Sequence, residues 1–98
     1  MFRHVVMFRW AADASADARQ GAVDALRAFG DDIQDLGRLT VGADARVADG
    51  NFDAAVVVDF PDVDTYQRYA SDPRHVTVVS TYVKPILAER VAVQYQLD

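Results

Sequence analysis

The sequence predicts an α+β fold in the order strand, helix, strand, strand, helix, strand. Three observations carry it. Alternating β-branched and aromatic residues fill four segments, while one long segment repeats its apolar residues at helical spacing. Three aspartate- or serine-led starts precede helical stretches. Two strands are apolar on both faces at their centres, which bears on what covers the sheet.

Met1 to Trp10 reads as the first strand. Asp13-Ala14-Ser15 opens a helix, with Ser15 or Asp13 as N-cap. Ala18, Ala22, Leu26 and Phe29 then form one face and Asp17, Gln20, Asp24 and Arg27 the other, until Gly30-Asp31-Asp32 ends the helix. Ile33 to Val47 holds the second strand, where Gly37 and Gly42 predict a bulge or bend. Asp49-Gly50 supplies hairpin-turn chemistry, and Phe52 to Phe60 is the clearest strand of the chain. After Pro61, Asp62 or Asp64 caps a short helix reaching Tyr69, with Val63 and Tyr66 as core residues.

His75 to Val83 has strand propensity but helix punctuation. Asp72 is a good N-cap and Pro73 a good first helical residue, and Val76, Val79 and Val83 fall on one helical face. The punctuation decides for helix. Lys84-Pro85 ends it, and Ile86 to Leu97 is the last strand. The result is a ferredoxin-like split βαβ domain over residues 1–98, with a four-stranded antiparallel sheet covered by helices on one face.

That cover leaves a surplus. In the first strand Phe2, His4, Val6, Phe8 and Trp10 share one face, yet Val5 and Met7 occupy the other between Arg3 and Arg9. In the third, Ala55 and Val57 sit opposite Ala54, Val56, Val58 and Phe60, between Asp53 and Asp59. Helices bury one of these faces. A second copy of the chain, packed through the open sheet face as a homodimer, buries the other.

Composition excludes several functions. With no cysteine there are no disulfides, thiolate nucleophiles, iron–sulfur clusters or cysteine-bound zinc. A net charge of −5 without a Lys/Arg cluster argues against nucleic acid and anionic membranes as partners. No apolar run approaches the roughly 20 residues of a membrane span, and Met1 to Val6 lacks a secretory signal pattern, so a cytoplasmic location is expected. Asp31, Asp32 and Asp35 could hold a hard cation but read as a solvated helix end, and two isolated histidines make no zinc site. Neither a nucleophile triad nor a glycine-rich phosphate loop is present; no metal or cofactor is expected.

The candidate chemistry lies elsewhere. His75 is the third residue of the helix opened by Asp72-Pro73, where the partial positive charge of the helix start favours neutral imidazole. Such a group suits a general base. Tyr69, six residues earlier, can reach it across a turn at Ser71-Asp72-Pro73, and a phenol can donate to a carbonyl that becomes an enolate. The alternative is that the two rings pin the kink between two helices. His4, on the helix-facing side of the first strand, must be hydrogen-bonded or reach a cavity.

Met1-Phe2-Arg3-His4-Val5-Val6-Met7-Phe8-Arg9, Val41-Gly42, the strand Phe52 to Phe60, Tyr69-Ala-Ser-Asp-Pro-Arg-His75-Val76 and Val83-Lys84-Pro85-Ile86-Leu87 together resemble the stress-responsive A/B barrel (Dabb) family. The resemblance covers nearly the whole chain; Tyr-x-x-x-Pro-x-His followed by Lys-Pro is its most specific part. It implies a protomer that pairs into a dimeric α+β barrel, in a family of mixed activities. A plant polyketide cyclase of the family performs a cofactor-free aldol cyclisation. By resemblance Tyr69 and His75 match its catalytic pair and His4 a further pocket histidine. Where that cyclase has another histidine on the third strand, this chain has Ala54.

The resulting expectation is a cofactor-independent enzyme acting on a carbonyl-bearing, apolar or aromatic small molecule. Its pocket lies between helices and sheet, floored by Val6, Phe8 and Val56. Two alternatives stand beside it: a non-catalytic stress-response or small-ligand-binding dimer, and a haem-binding barrel with a histidine iron ligand.

Overall fold

The computed structural model describes residues 1–97. Strand β1 (Phe2–Trp10) is followed by helix α1 (Ala16–Asp32), β2 (Arg38–Ala43), β3 (Ala54–Phe60), α2 (Val63–Ser71) and α3 (Pro73–Val78). A π turn (Val79–Val83) and a 3-10 turn (Lys84–Ile86) lead into β4 (Leu87–Gln96). The strands form one antiparallel sheet in the order β2-β3-β1-β4, so the expected βαββαβ arrangement is present.

The helix starts are set by their caps. Ser15 accepts from Ala18 N–H at 3.0 Å, Asp62 from Thr65 N–H at 2.8 Å and Asp72 from Arg74 N–H at 2.8 Å. Pro73 then opens α3, and the helical reading of this segment holds over its strand propensity. The same Asp72 carboxylate receives the Arg74 guanidinium, which also reaches Asp35 and the Asp32 carbonyl. The end of α1 is thereby tied to the α2–α3 corner.

Helix α1 ends within Gly30-Asp31-Asp32 as expected, its last residue being Asp32; Gly30 packs so closely on β2 that a Cβ there would stand 3.0 Å from Leu39 Cδ2. Three local expectations need correction. Ile33 and Leu36 lie in turns after the helix and fill the core, so β2 starts only at Arg38. Gly37 is required by close approach, since its Cβ would lie 2.7 Å from the Asp59 carbonyl oxygen, whereas Gly42 pairs regularly with Ala55 and makes no bulge. The β2–β3 connection is a loop over 44–53 rather than a tight turn. In it Gly50 takes φ 84° and Arg46 φ 59°, the latter held by its N–H to Asp44 and its guanidinium to Asp53.

One core assignment also fails, and one expected helical face is split. Val63 is exposed at the first turn of α2, where the buried residue is Thr65, its hydroxyl donating to Asp62. Val76 is exposed as well, while Val78 and Val83 are buried. The π turn is the reason: Lys84 N–H bonds back to Val79 O, five residues earlier, which rotates the apolar face relative to a regular helix.

The core lies between α1 and the sheet. Val6, Phe8, Val56, Val58 and Phe60 from the sheet meet Ala22, Val23, Leu26 and Phe29 from α1. On the opposite face the strand register aligns Thr40, Val57, Val5 and Val93 in one row and Gly42, Ala55, Met7 and Val91 in the next. Met7 and Val93 are exposed there, and Val5, Ala55 and Val57 are only half-buried. Ion pairs bound this apolar field at both ends. Arg3 meets Asp59 through two bonds of 2.7 and 2.8 Å, and Arg9, stacked over Phe52, meets Glu89 at 3.2 Å.

Candidate active site

A cavity of about 190 Å³ lies between the sheet and the α2–α3 corner. It is lined by all six residues singled out from the sequence: His4, Val6, Phe8, Val56, Tyr69 and His75. Leu26, Val79, Val83 and Leu87 complete its apolar wall, and Lys84 and Arg90 also line it. Val6 and Val56 face each other across β1 and β3. Ala54 is buried but lies outside the lining, so the third strand offers the cavity only Val56.

Tyr69 stands in the last turn of α2, and its carbonyl accepts from the Asp72 N–H at 3.1 Å. The turn that follows brings His75 back over it, with ring centroids 4.6 Å apart. Phe60 packs against the Tyr69 ring at 4.9 Å and Phe29 at 5.8 Å, so the ring is held on several sides. Its hydroxyl has no hydrogen-bond partner among the described residues, yet no fully buried polar atom is left unpaired there; the oxygen therefore keeps access to the cavity. Burial pushes the Tyr69 phenol well above its ordinary value, and the hydroxyl stays a donor at any physiological pH.

His75 Nδ1 lies 3.1 Å from the Ala70 carbonyl. A carbonyl only accepts, so Nδ1 carries the proton and Nε2 is the ring's acceptor. Burial is the main force pushing this imidazole below its ordinary value; the bond to Ala70 opposes it and Arg90 adds to it. The neutral state expected from the helix start is thus favoured, with desolvation as the principal cause.

His4 is buried and satisfied in the way its position demands. The Gln94 amide, its cross-strand neighbour on β4, donates to His4 Nδ1 at 2.9 Å, leaving the neutral ring's proton on Nε2. Tyr66 packs on the ring with centroids 5.0 Å apart. Burial, assisted by the charges of Arg90 and His75, pushes the His4 imidazole down to about 4. Unfolded, it titrates near 6.5. Between these values the unfolded chain binds more protons at this site, so stability is full above about pH 6.5 and falls as pH drops toward 4. The loss is of order 3 kcal/mol by pH 4. Urea midpoints measured from pH 7 to 4.5 should fall more steeply for the wild type than for His4→Gln; parallel curves would contradict the burial of a neutral imidazole.

Sequence reasoning missed Gln94, Arg90 and Lys84. The first two follow from register, since β4 pairs antiparallel with β1 and sets Gln94 against His4 and Arg90 against Phe8. Among the described residues no group of three His, Asp or Glu side chains is arranged to hold a metal ion. No helix is long and apolar enough to cross a membrane.

The family model of the stress-responsive A/B barrel domain matches residues 2–97. The chain belongs to this family. No curated protein matches the sequence. Among solved structures, a dimeric ferredoxin-like protein of unknown function from Thermobifida fusca YX is 35% identical, with a TM-score of 0.88 over 98% of this chain and 90% of that one. A Dabb family protein from Mesorhizobium loti, 17% identical, gives a TM-score of 0.80 over 98% and 95% of the two chains. A hydroxynitrile lyase from Passiflora edulis, 18% identical, gives 0.75 over 99% and 93%. The last two likenesses establish the fold alone.

Proposed function

We propose that this A/B barrel protein is a cofactor-independent acid–base enzyme, acting on an apolar, ring-sized compound that carries a carbonyl group. The observation that carries the reading is the pairing of Tyr69 and His75 on one cavity, with the phenol unpartnered and the imidazole tautomer fixed by Ala70. His75 Nε2 accepts a proton from the carbon beside the carbonyl. The Tyr69 hydroxyl donates to the carbonyl oxygen as it becomes an enolate, and His4 Nε2–H is a second donor that positions it. The enolate carbon then attacks a second carbonyl of the same molecule, and His75 returns the proton to the new alkoxide. This is cyclase-type chemistry, as in the polyketide cyclase that the family resemblance brings in.

Size supports the substrate class. A cavity of about 150 Å³ accepts benzene, and this one of about 190 Å³ fits a single ring or a chain that folds into one. A porphyrin, with its four pyrroles, does not fit, which disfavours the haem-binding alternative.

The protein acts as a homodimer in this reading, joined through the open sheet face. Supporting it are the apolar rows around Val5, Val57 and Met7 and the dimeric state of the Thermobifida relative.

An NMR titration with acetophenone tests the pocket. The His4, Tyr69 and His75 side-chain resonances should shift together and saturably. Shifts confined to the open sheet face, or none at all, would sink the reading.

A further inference from the structure

The cavity contains no carboxylate, yet two cations line it. Arg90 enters from β4, opposite Phe8, and Lys84 from the 3-10 turn. Neither is within ion-pair distance of an acidic side chain among the described residues, although Arg3, Arg9, Arg27, Arg46 and Arg74 all are. Glu89, the acid nearest to Arg90 in sequence, lies on the other face of the sheet and is taken by Arg9. Arg19, Arg38 and Arg68 make no ion pair either, but Lys84 and Arg90 are the two cations that line this cavity, and its lining offers them no counter-charge.

Their placement is also costly to the site. The Arg90 charge disfavours protonation of both His4 and His75, so it lies close enough to act on both rings. The rest of the lining, apart from the two histidines and Tyr69, is aliphatic or Phe8 and offers an anion nothing. A ligand anion would therefore be drawn to the Lys84–Arg90 side, while an apolar body filled the space over Val6, Val56 and Leu26. An arginine beside a lysine suits a carboxylate, which takes a planar forked contact from one and a point charge from the other.

We infer that the substrate of this cavity is a keto acid, whose carboxylate is bound by Lys84 and Arg90 while its carbonyl faces Tyr69 and His75. The inference rests on the function proposed above and narrows it from carbonyl compounds in general to acidic ones. It also gives the molecule a direction in the cavity: the carboxylate end is anchored at the cations, and the ring or folding chain lies over the floor.

The test is calorimetric titration of the full chain with 3-benzoylpropionate and with its neutral amide. These probes share a ring and a ketone and differ only in the charged end. The carboxylate should bind about tenfold more tightly or better at low salt. Its advantage should shrink as salt is raised, because the cations are partly solvated. In the Lys84→Gln/Arg90→Gln double variant the preference for the carboxylate over the amide should fall to about twofold or less; both positions are exposed, so the fold is spared.

Equal affinity of the two probes for the wild type would overturn the inference, and so would a preference that survives the double substitution. The amide arm separates the two levels. If the amide binds and shifts the Tyr69 and His75 resonances without any gain from the carboxylate, the keto acid inference alone falls. If neither probe binds, it falls together with the reading it rests on.

Discussion

Val57→Asp is expected to turn the protein from a dimer into a monomer. Val57 is on β3, an inner strand, with Val5 on one side and Thr40 on the other. It stands at the middle of the apolar rows, between the Arg3–Asp59 pair at one end and the Arg9–Glu89 pair at the other. A carboxylate here finds Arg3 and Arg9 already paired, while Arg38, which lines the same surface pocket as Val57, stands exposed on the edge strand β2 opposite Asp59. In a two-fold dimer the change appears twice, and an unpaired buried charge costs about 3–5 kcal/mol. The dimer dissociation constant should rise by at least about a thousandfold, which sedimentation velocity at micromolar concentration resolves. Val76→Asp is the control. It adds the same charge on the helix side, at a residue already 54% exposed, and should leave the assembly unchanged. A Val57→Asp protein that remained dimeric would show that another surface joins the protomers.

The open face was legible in the sequence for a physical reason. Side chains alternate strictly along a strand, so Val5 and Met7 must oppose Val6 and Phe8 whatever the tertiary structure does. The α2–α3 corner was equally legible. Asp72-Pro73 combines a side-chain acceptor with a fixed φ, and these local constraints outweighed the β-branched run that follows. Local rules could not foresee the π turn. One extra residue in the turn moves Val76 outward and Val83 inward, and no cap or glycine announces it. Nor could they place Ile33 and Leu36, whose burial depends on the angle at which the chain leaves α1.

The candidate site divides along the same line. Tyr69 and His75 are six residues apart and joined by a readable turn, so their meeting followed from sequence spacing. His4 was marked by being polar on an apolar face. Its partner Gln94 lies ninety residues away, and only the register of β1 on β4 brings them together. Arg90 is hidden for the same reason. On sequence it is one more charge in a strand with an exposed face, and its position beside Phe8 gives it meaning. Short-range chemistry was thus visible, while the groups that tune and orient it come from the far end of the chain.

The kinetic roles proposed for Tyr69 and His75 can be separated from structural ones by two conservative substitutions. The reaction to follow is exchange of the protons beside the carbonyl of 3-benzoylpropionate or acetophenone in deuterated water, since each exchange needs one removal and one return at that carbon. Tyr69→Phe keeps the ring against Phe60, Phe29 and His75 and removes only an oxygen without a protein partner. It should therefore leave the melting temperature almost unmoved. If the hydroxyl holds the enolate oxygen, exchange slows by about a hundredfold or more, the usual effect of losing one such donor. His75→Asn keeps a donor for the Ala70 carbonyl, and with it the pin across the α2–α3 corner, but has no basic nitrogen. Exchange should fall to the uncatalysed rate. His75→Ala also abolishes exchange and in addition costs about 1 kcal/mol of stability through the lost bond to Ala70. A purely structural pair gives the opposite pattern: both probes bind, no variant changes exchange, and only His75→Ala lowers the melting temperature. That outcome would leave the fold and the pocket in place and return the protein to the ligand-binding alternative.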